Sequence, residues 1–160
     1  MFVYKDEIRV WRPVTINVPV DGGGVSPFTM HARFKLLDDA EVNERMRSTL
    51  ELMKASLLGD QGDLSQLLAS LDDKEYQKRV DDVVGRVDAW KDIVVECDGV
   101  EVPLEFSQEK LRAVLAKSYA LAAYSQELVD ASKGIASKNL DASPASGQAA
   151  ANQTTSDSAT

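Results

Sequence analysis

With 160 residues, 44% of them hydrophobic and 28% charged, the chain has the length and composition of one compact soluble domain, and no apolar run nears the ~20 residues a membrane helix needs. Its single cysteine excludes an intramolecular disulfide and fits a reducing cytosol. The formal charge of -8 is concentrated in residues 72–109, which hold twelve acids against five bases, and no basic run offers the clustered Lys and Arg that phosphates require, which argues against nucleic acid as the main partner.

The opening MFVYKDEIRV lacks the charged n-region followed by an apolar h-region that marks an export signal, and Glu7 to Trp11 reads as a short strand. Val14 to Val20 alternates Val14, Ile16, Val18 and Val20 with Thr15, Asn17 and Pro19, the period-two pattern of a half-buried strand. Pro19 lacks a backbone donor and so favours an edge or the strand's end. After Asp21 to Gly24, Phe28, Met30, Ala32, Phe34 and Leu36 alternate with Thr29, His31, Arg33 and Lys35. The two runs read as a hairpin whose polar face, with His31, Arg33 and Lys35, meets water or a partner.

Asp38, followed three residues later by Glu41, has the spacing of a capping box. It opens a helix with Val42, Met46, Leu50, Met53 and Leu57 on one stripe, stopped by Gly59. A short helix capped by Asp63 carries Leu64, Leu67, Leu68 and Leu71. Asp72 or Asp73 begins a further amphipathic helix whose face runs through Tyr76, Val80, Val83, Val84, Val87 and Trp90. Gly85 within it marks either close packing or a weak point.

Past Trp90, DIVVEC and VEVPLEF flank Asp98-Gly99, a dipeptide suited to a type I′ turn, so a second small hairpin is expected. Ser107 caps a final helix of more than five turns, with Leu111, Val114, Leu115, Leu121, Tyr124 and Leu128 on its apolar stripe and many alanines that permit close approach. From Asp141 onward no bulky aliphatic or aromatic residue occurs, and such a segment cannot offset its ordering entropy. The fold class is α+β: an N-terminal β-hairpin, several amphipathic helices, a second short hairpin and a disordered C-terminal tail. One globular domain is expected over 1–133, with an Ala/Ser/Thr-rich disordered tail over 134–160.

Chemistry-bearing residues are sparse. His31 is the only histidine, and no carboxylate or serine partner for it follows from spacing. Cys97 lies between Glu96 and Asp98, which disfavour a thiolate, in a strand pattern where a buried thiol is commonplace. The DGGG run joins strand to strand and lacks the spacing of a phosphate loop. The pairs Asp38-Asp39 and Asp72-Asp73 fall at helix starts, where carboxylates suit the unpaired N–H groups, and Asp81-Asp82 reads as a solvated surface. No catalytic, cofactor or metal site is expected.

The order of features resembles the tail assembly chaperones of long-tailed bacteriophages. VTINVPVDGGG followed by FTMHARFKLL is similar to that family's valine-rich strand, proline-glycine turn and aromatic-x-Ala-Arg-Phe strand. VVGRVDAW, the Asp-Gly turn and LEFSQEKLRAVL are similar to its helix end, turn and Phe-Ser-x-Glu-x-Leu helix opening. The likeness covers most of residues 12 to 130; where members often have a glycine just after the tryptophan, this chain has Asp92 and the apolar Ile93 to Val95. The resemblance implies a non-enzymatic protein of the host cell cytoplasm that binds the tape measure protein, keeps its hydrophobic helices soluble, and helps recruit the major tail-tube protein. It implies no cofactor, no nucleic acid and no membrane, and absence from the mature virion; the alternative is a small structural tail or neck protein that is incorporated. The partner-binding candidates are Phe28, Met30, Phe34, Trp90, Leu111, Leu115, Tyr119 and Tyr124.

Overall fold

A computed structural model describes residues 7–55 and 64–135. Strand β1 (Arg9–Pro19) and strand β2 (Val25–Lys35) form the N-terminal hairpin in continuous antiparallel register, from Arg9 opposite Lys35 to Pro19 opposite Val25. The segment expected as a separate short strand is the beginning of β1. The connection passes through Gly22 and Gly23 at φ 87° and 83°, backbone that an L side chain resists. Alternation then does what the sequence pattern asks of it. Val14 and Ile16, with Met30, Ala32 and Phe34 opposite, are buried on one face, while Trp11, Thr29 and Arg33 lie on the other.

Helix α1 (Asp39–Ala55) opens on a capping box: the Glu41 N–H donates to Asp38 Oδ1 at 2.8 Å and the Asp38 N–H donates to Glu41 Oε2 at 3.0 Å. Gly59 and Asp63, read as a stop and a cap, lie outside the described residues, as does Leu57. Helix α2 (Leu64–Ala69) buries Leu67 and Leu68. Helix α3 (Asp73–Val84) is capped by Asp72, whose side chain accepts the Glu75 N–H at 2.9 Å.

Two expectations about helix extent are corrected. Helix α3 ends at Gly85, and Val87–Lys91 is strand β3, the third strand of the sheet, paired antiparallel to β2 in the order β1-β2-β3. The Arg86 carbonyl accepts the Lys35 N–H at 2.8 Å, so the chain enters the sheet immediately after the helix. Val87 and Trp90 have helical spacing yet both point inward, because the register shifts between Arg33 and Phe34 and one extra residue of β3 is accommodated there. Gly85 itself is not tightly enclosed: a Cβ there would meet nothing nearer than the Asp81 carbonyl oxygen at 3.5 Å.

The expected long final helix is two. Helix α4 (Gln108–Leu115), capped by Ser107 on the Lys110 N–H at 3.1 Å, stops at Ala116; extended Lys117 precedes helix α5 (Ser118–Ser132). A continuous helix from Gln108 to Ser132 would run about 37 Å at ~1.5 Å per residue, and one straight stripe would not seat both halves on the same small core. Bending there lets α4 bury Leu111 and Leu115 beside α3, while α5 crosses the sheet with Leu121, Tyr124 and Leu128 fully enclosed. The Leu115 carbonyl, released by the break, accepts the Tyr76 hydroxyl at 2.7 Å.

The core is therefore two layers, the inner face of the three-stranded sheet against α5, with the other helices grouped around α5. Phe34 meets Tyr124 edge to face at 6.0 Å between ring centroids, and the buried Tyr124 hydroxyl reaches Met30 Sδ at 3.2 Å. Arg12, on the inner side of β1, pairs with Glu127 of α5 at 2.6 Å and also donates to the Ile135 carbonyl at 2.8 Å. That pair ties the last described turn of the chain to the first strand.

Strands β4 (Val94–Cys97) and β5 (Val100–Pro103) form the second hairpin as expected, with Asp98 and Gly99 at φ 52° and 77° in its two-residue turn. It stands apart from the main sheet, and all eight of its strand residues are exposed. The architecture is α+β. The tail expected over 134–160 lies outside the described residues from 136 onward.

Candidate functional site

Helix α1 has an apolar stripe that the core does not cover. Val42 is buried, but one turn further Met46 is 39% exposed and Leu50 is 53% exposed. The cause is the way α1 is held. Its first turn is fixed by the capping box and by Arg86, which pairs with Glu41 and reaches the Leu36 carbonyl. Further along, polar side chains separate α1 from α3. Arg79 donates to Ser48 Oγ at 2.8 Å, and Arg45 reaches the Asp82 carbonyl at 3.4 Å. Burial between the helices pulls the Arg45 pKa below its ordinary value, with Asp82 opposing that shift.

The space so left is a groove of about 420 Å³. Its apolar lining comes from Met46, Leu50 and Met53 of α1, Leu64 and Leu68 of α2, and Val129 of α5. Charged side chains of both signs, among them Glu44, Lys78 and Lys133, form its rim. Among the described residues Arg79 Nε in the wall is buried without a hydrogen-bond acceptor, and the Glu75 carboxylate oxygen is 3.9 Å away. Apolar walls, a mixed rim and one unmatched donor suit an amphipathic helix that brings its own acceptor. The two methionines, with unbranched polarizable side chains, fit varied apolar partners.

Most residues expected to meet a partner are placed elsewhere. Met30, Phe34, Trp90, Leu111, Leu115 and Tyr124 are buried in the core, so none offers a surface in the folded chain. Their apolar character and spacing announce an inward face, which the sheet and α5 use for packing. Trp90 is fixed by its indole N–H donating to the Leu104 carbonyl at 2.8 Å and by an edge contact with Phe106. Phe28 is exposed toward the turn end of the hairpin, and half-buried Tyr119 lines a second cleft of about 500 Å³ with Thr15, Asn17 and Ala122. The groove does not include either residue. Its own signal was present in the sequence as the stripe Met46, Leu50, Met53, but periodicity does not say whether a stripe is covered.

The sheet's outer face carries a constellation that spacing did not reveal. The Trp11 ring takes two cations, Arg33 at 5.7 Å from its centroid and Lys91 Nζ at 4.8 Å. Asp88 accepts from Arg33 at 2.6 Å and forms an ion pair with Arg9 at 2.9 Å, and Lys35 pairs with Glu7 at 2.8 Å. His31 has a carboxylate partner after all: Nδ1 is 2.6 Å from Asp92 Oδ2. Pairing of β2 with β3 brings the two together, and Asp92 sits at φ 65°, which turns the chain out of the sheet toward β4. Cys97, expected as a buried thiol, is exposed on the second hairpin. Among the described residues no group of three or more His, Cys, Asp or Glu is arranged to hold a metal ion, and no helix is long and apolar enough to cross a membrane.

No family model matches the chain, and neither a curated protein nor a solved structure matches it.

Proposed function

We propose that the protein is a non-enzymatic tail assembly chaperone of a long-tailed bacteriophage, acting in the host cell cytoplasm. It binds the tape measure protein, keeps that protein's hydrophobic helices soluble, promotes assembly of the tail tube, and is absent from the mature virion. The observation that carries the reading is the exposed pair Met46 and Leu50, continued by half-buried Met53, along the α1 groove, a surface suited to a partner helix. The ordered sequence motifs between residues 12 and 130 support it as well. The net charge of -8 favours a chaperone that stays soluble while holding an aggregation-prone partner.

The reading is tested by co-expression with the tape measure protein of the same phage. A stable complex and a gain in soluble tape measure protein are expected, and both should be lost in Leu50→Glu with the fold retained by circular dichroism. Absence of a complex with the unsubstituted chain overturns the proposal. Mass spectrometry of purified virions supplies a second readout, since detection of this chain there would favour an incorporated tail or neck protein.

A further inference from the structure

The β4–β5 hairpin is an apolar arm whose eight strand residues are all left exposed by the described residues. Val94, Val95, Val100 and Val102 are 46%, 36%, 62% and 43% exposed. Cross-strand partners share a face, so Val95 with Val102 and Cys97 with Val100 make one wholly apolar face, while Glu96 and Glu101, flanked by Val94 and Pro103, make the other. A free-standing two-stranded hairpin is marginal in water, and an exposed apolar face on one is the mark of a surface meant to be covered.

Its two edges are not equivalent. The Leu104 N–H donates to the Ile93 carbonyl at 2.8 Å, and antiparallel bonding alternates along the pair, so Val95 and Cys97 bond inward to β5 while Val94 and Glu96 turn their N–H and C=O groups outward. On β5 the outward positions are Glu101 and Pro103, and Pro103 has no N–H to give. The β4 edge is thus open to an added strand and the β5 edge is blunted.

Charge names the occupant. From Asp92 to Glu109 the chain carries six acids and no base. Asp92 is paired with His31, but Glu96, Asp98, Glu101, Glu105 and Glu109 make no ion pair among the described residues. A second copy of the hairpin would set acid against acid. The chain's own basic sheet face is a poor counterpart too, because Arg9, Arg33 and Lys35 are already matched by Glu7 and Asp88.

We infer that the β4 edge receives an extended basic segment of another protein, added as a third strand, in which apolar and Lys or Arg residues alternate. Its apolar residues extend the Val95–Val102 face and its cations meet Glu96 and Glu101. This site is separate from the α1 groove and does not depend on the chaperone reading.

The test is a titration of the full chain with three ten-residue peptides: lysine alternating with valine, glutamate alternating with valine, and five lysines followed by five valines. The alternating lysine peptide should bind at least tenfold more tightly than either of the others, with amide shifts confined to residues 93–104. Val94→Pro, which removes an outward N–H without touching a bond to β5, and the double variant Glu96→Lys/Glu101→Lys should each weaken it at least tenfold. Equal binding of the alternating and block peptides would reduce the effect to net charge and overturn the inference. So would indifference of binding to both variants, or sedimentation showing that the hairpin valines instead hold two copies of this chain together.

Discussion

The Tyr76 hydroxyl of α3 donates to the Leu115 carbonyl at the end of α4 across 2.7 Å, closing the backbone acceptor that the break before α5 sets free. A half-buried side chain thereby allows one apolar run to serve as two helices. Tyr76→Phe should cost about 0.5–1.5 kcal/mol, the net contribution of a typical hydrogen bond, read by denaturant unfolding. An unchanged midpoint would mean that water satisfies the carbonyl equally well.

Desolvation raises the pKa of Tyr76 and, far more, that of Tyr124 above their ordinary value of 10.0. The unfolded chain therefore loses these protons first. Stability that depends on the neutral phenols is complete below pH 10 and falls as pH rises toward the raised folded values, by up to about 1.4 kcal/mol per pH unit for enclosed Tyr124 and by less for the more exposed Tyr76. The alkaline fall should be shallower in Tyr124→Phe, even though its stability at pH 7 is reduced by loss of the contact with Met30. An identical alkaline slope in wild type and variant would refute this assignment.

Arg12 and Glu127 form a largely enclosed ion pair between β1 and α5, with side chains 15% and 8% exposed. Arg12→Met leaves the Glu127 carboxylate buried and unpaired, a loss of about 3–5 kcal/mol, whereas Arg12→Met with Glu127→Leu should recover most of it. Thermal unfolding of the two single variants and the double variant measures the coupling. Additive losses would show that the two side chains act independently.

Gly99 at φ 77° closes the second hairpin's turn. Gly99→Val should weaken that hairpin by roughly 1–2 kcal/mol, the cost of a left-handed backbone for a side chain. Because β4 and β5 bury nothing against the core, global unfolding should hardly move, while amide exchange at Val95 and Val102 should quicken about tenfold or more. A matching drop in global stability would mean that the hairpin folds as one unit with the sheet.

Much of this architecture was legible before any coordinates. The N-terminal hairpin follows from strict alternation on both sides of a glycine-rich turn. The caps at Asp38, Asp72 and Ser107 and the turn at Asp98-Gly99 stand where their chemistry placed them. The partner surface was not legible in the same way. Aromatic and leucine residues chosen as contact candidates are mostly core, because the bulk that makes a residue useful at an interface also makes it the first to be buried.

The sequence by itself determined what depends on neighbours within about four positions: caps, turns, the period of each strand and the existence of each apolar stripe. Only the tertiary structure decided what those stripes face. Val87 and Trp90 have the spacing of a helix face, yet pairing with β2 and one bulge make them strand residues. The run from Leu111 to Leu128 reads as one helix until packing on α3 and on the sheet divides it. Met46 and Leu50 differ from the buried Val42 in nothing local; Arg45, Arg79 and Ser48 hold α1 off its neighbour and leave them open. Such choices rest on contacts between residues tens of positions apart, for which periodicity has no signal.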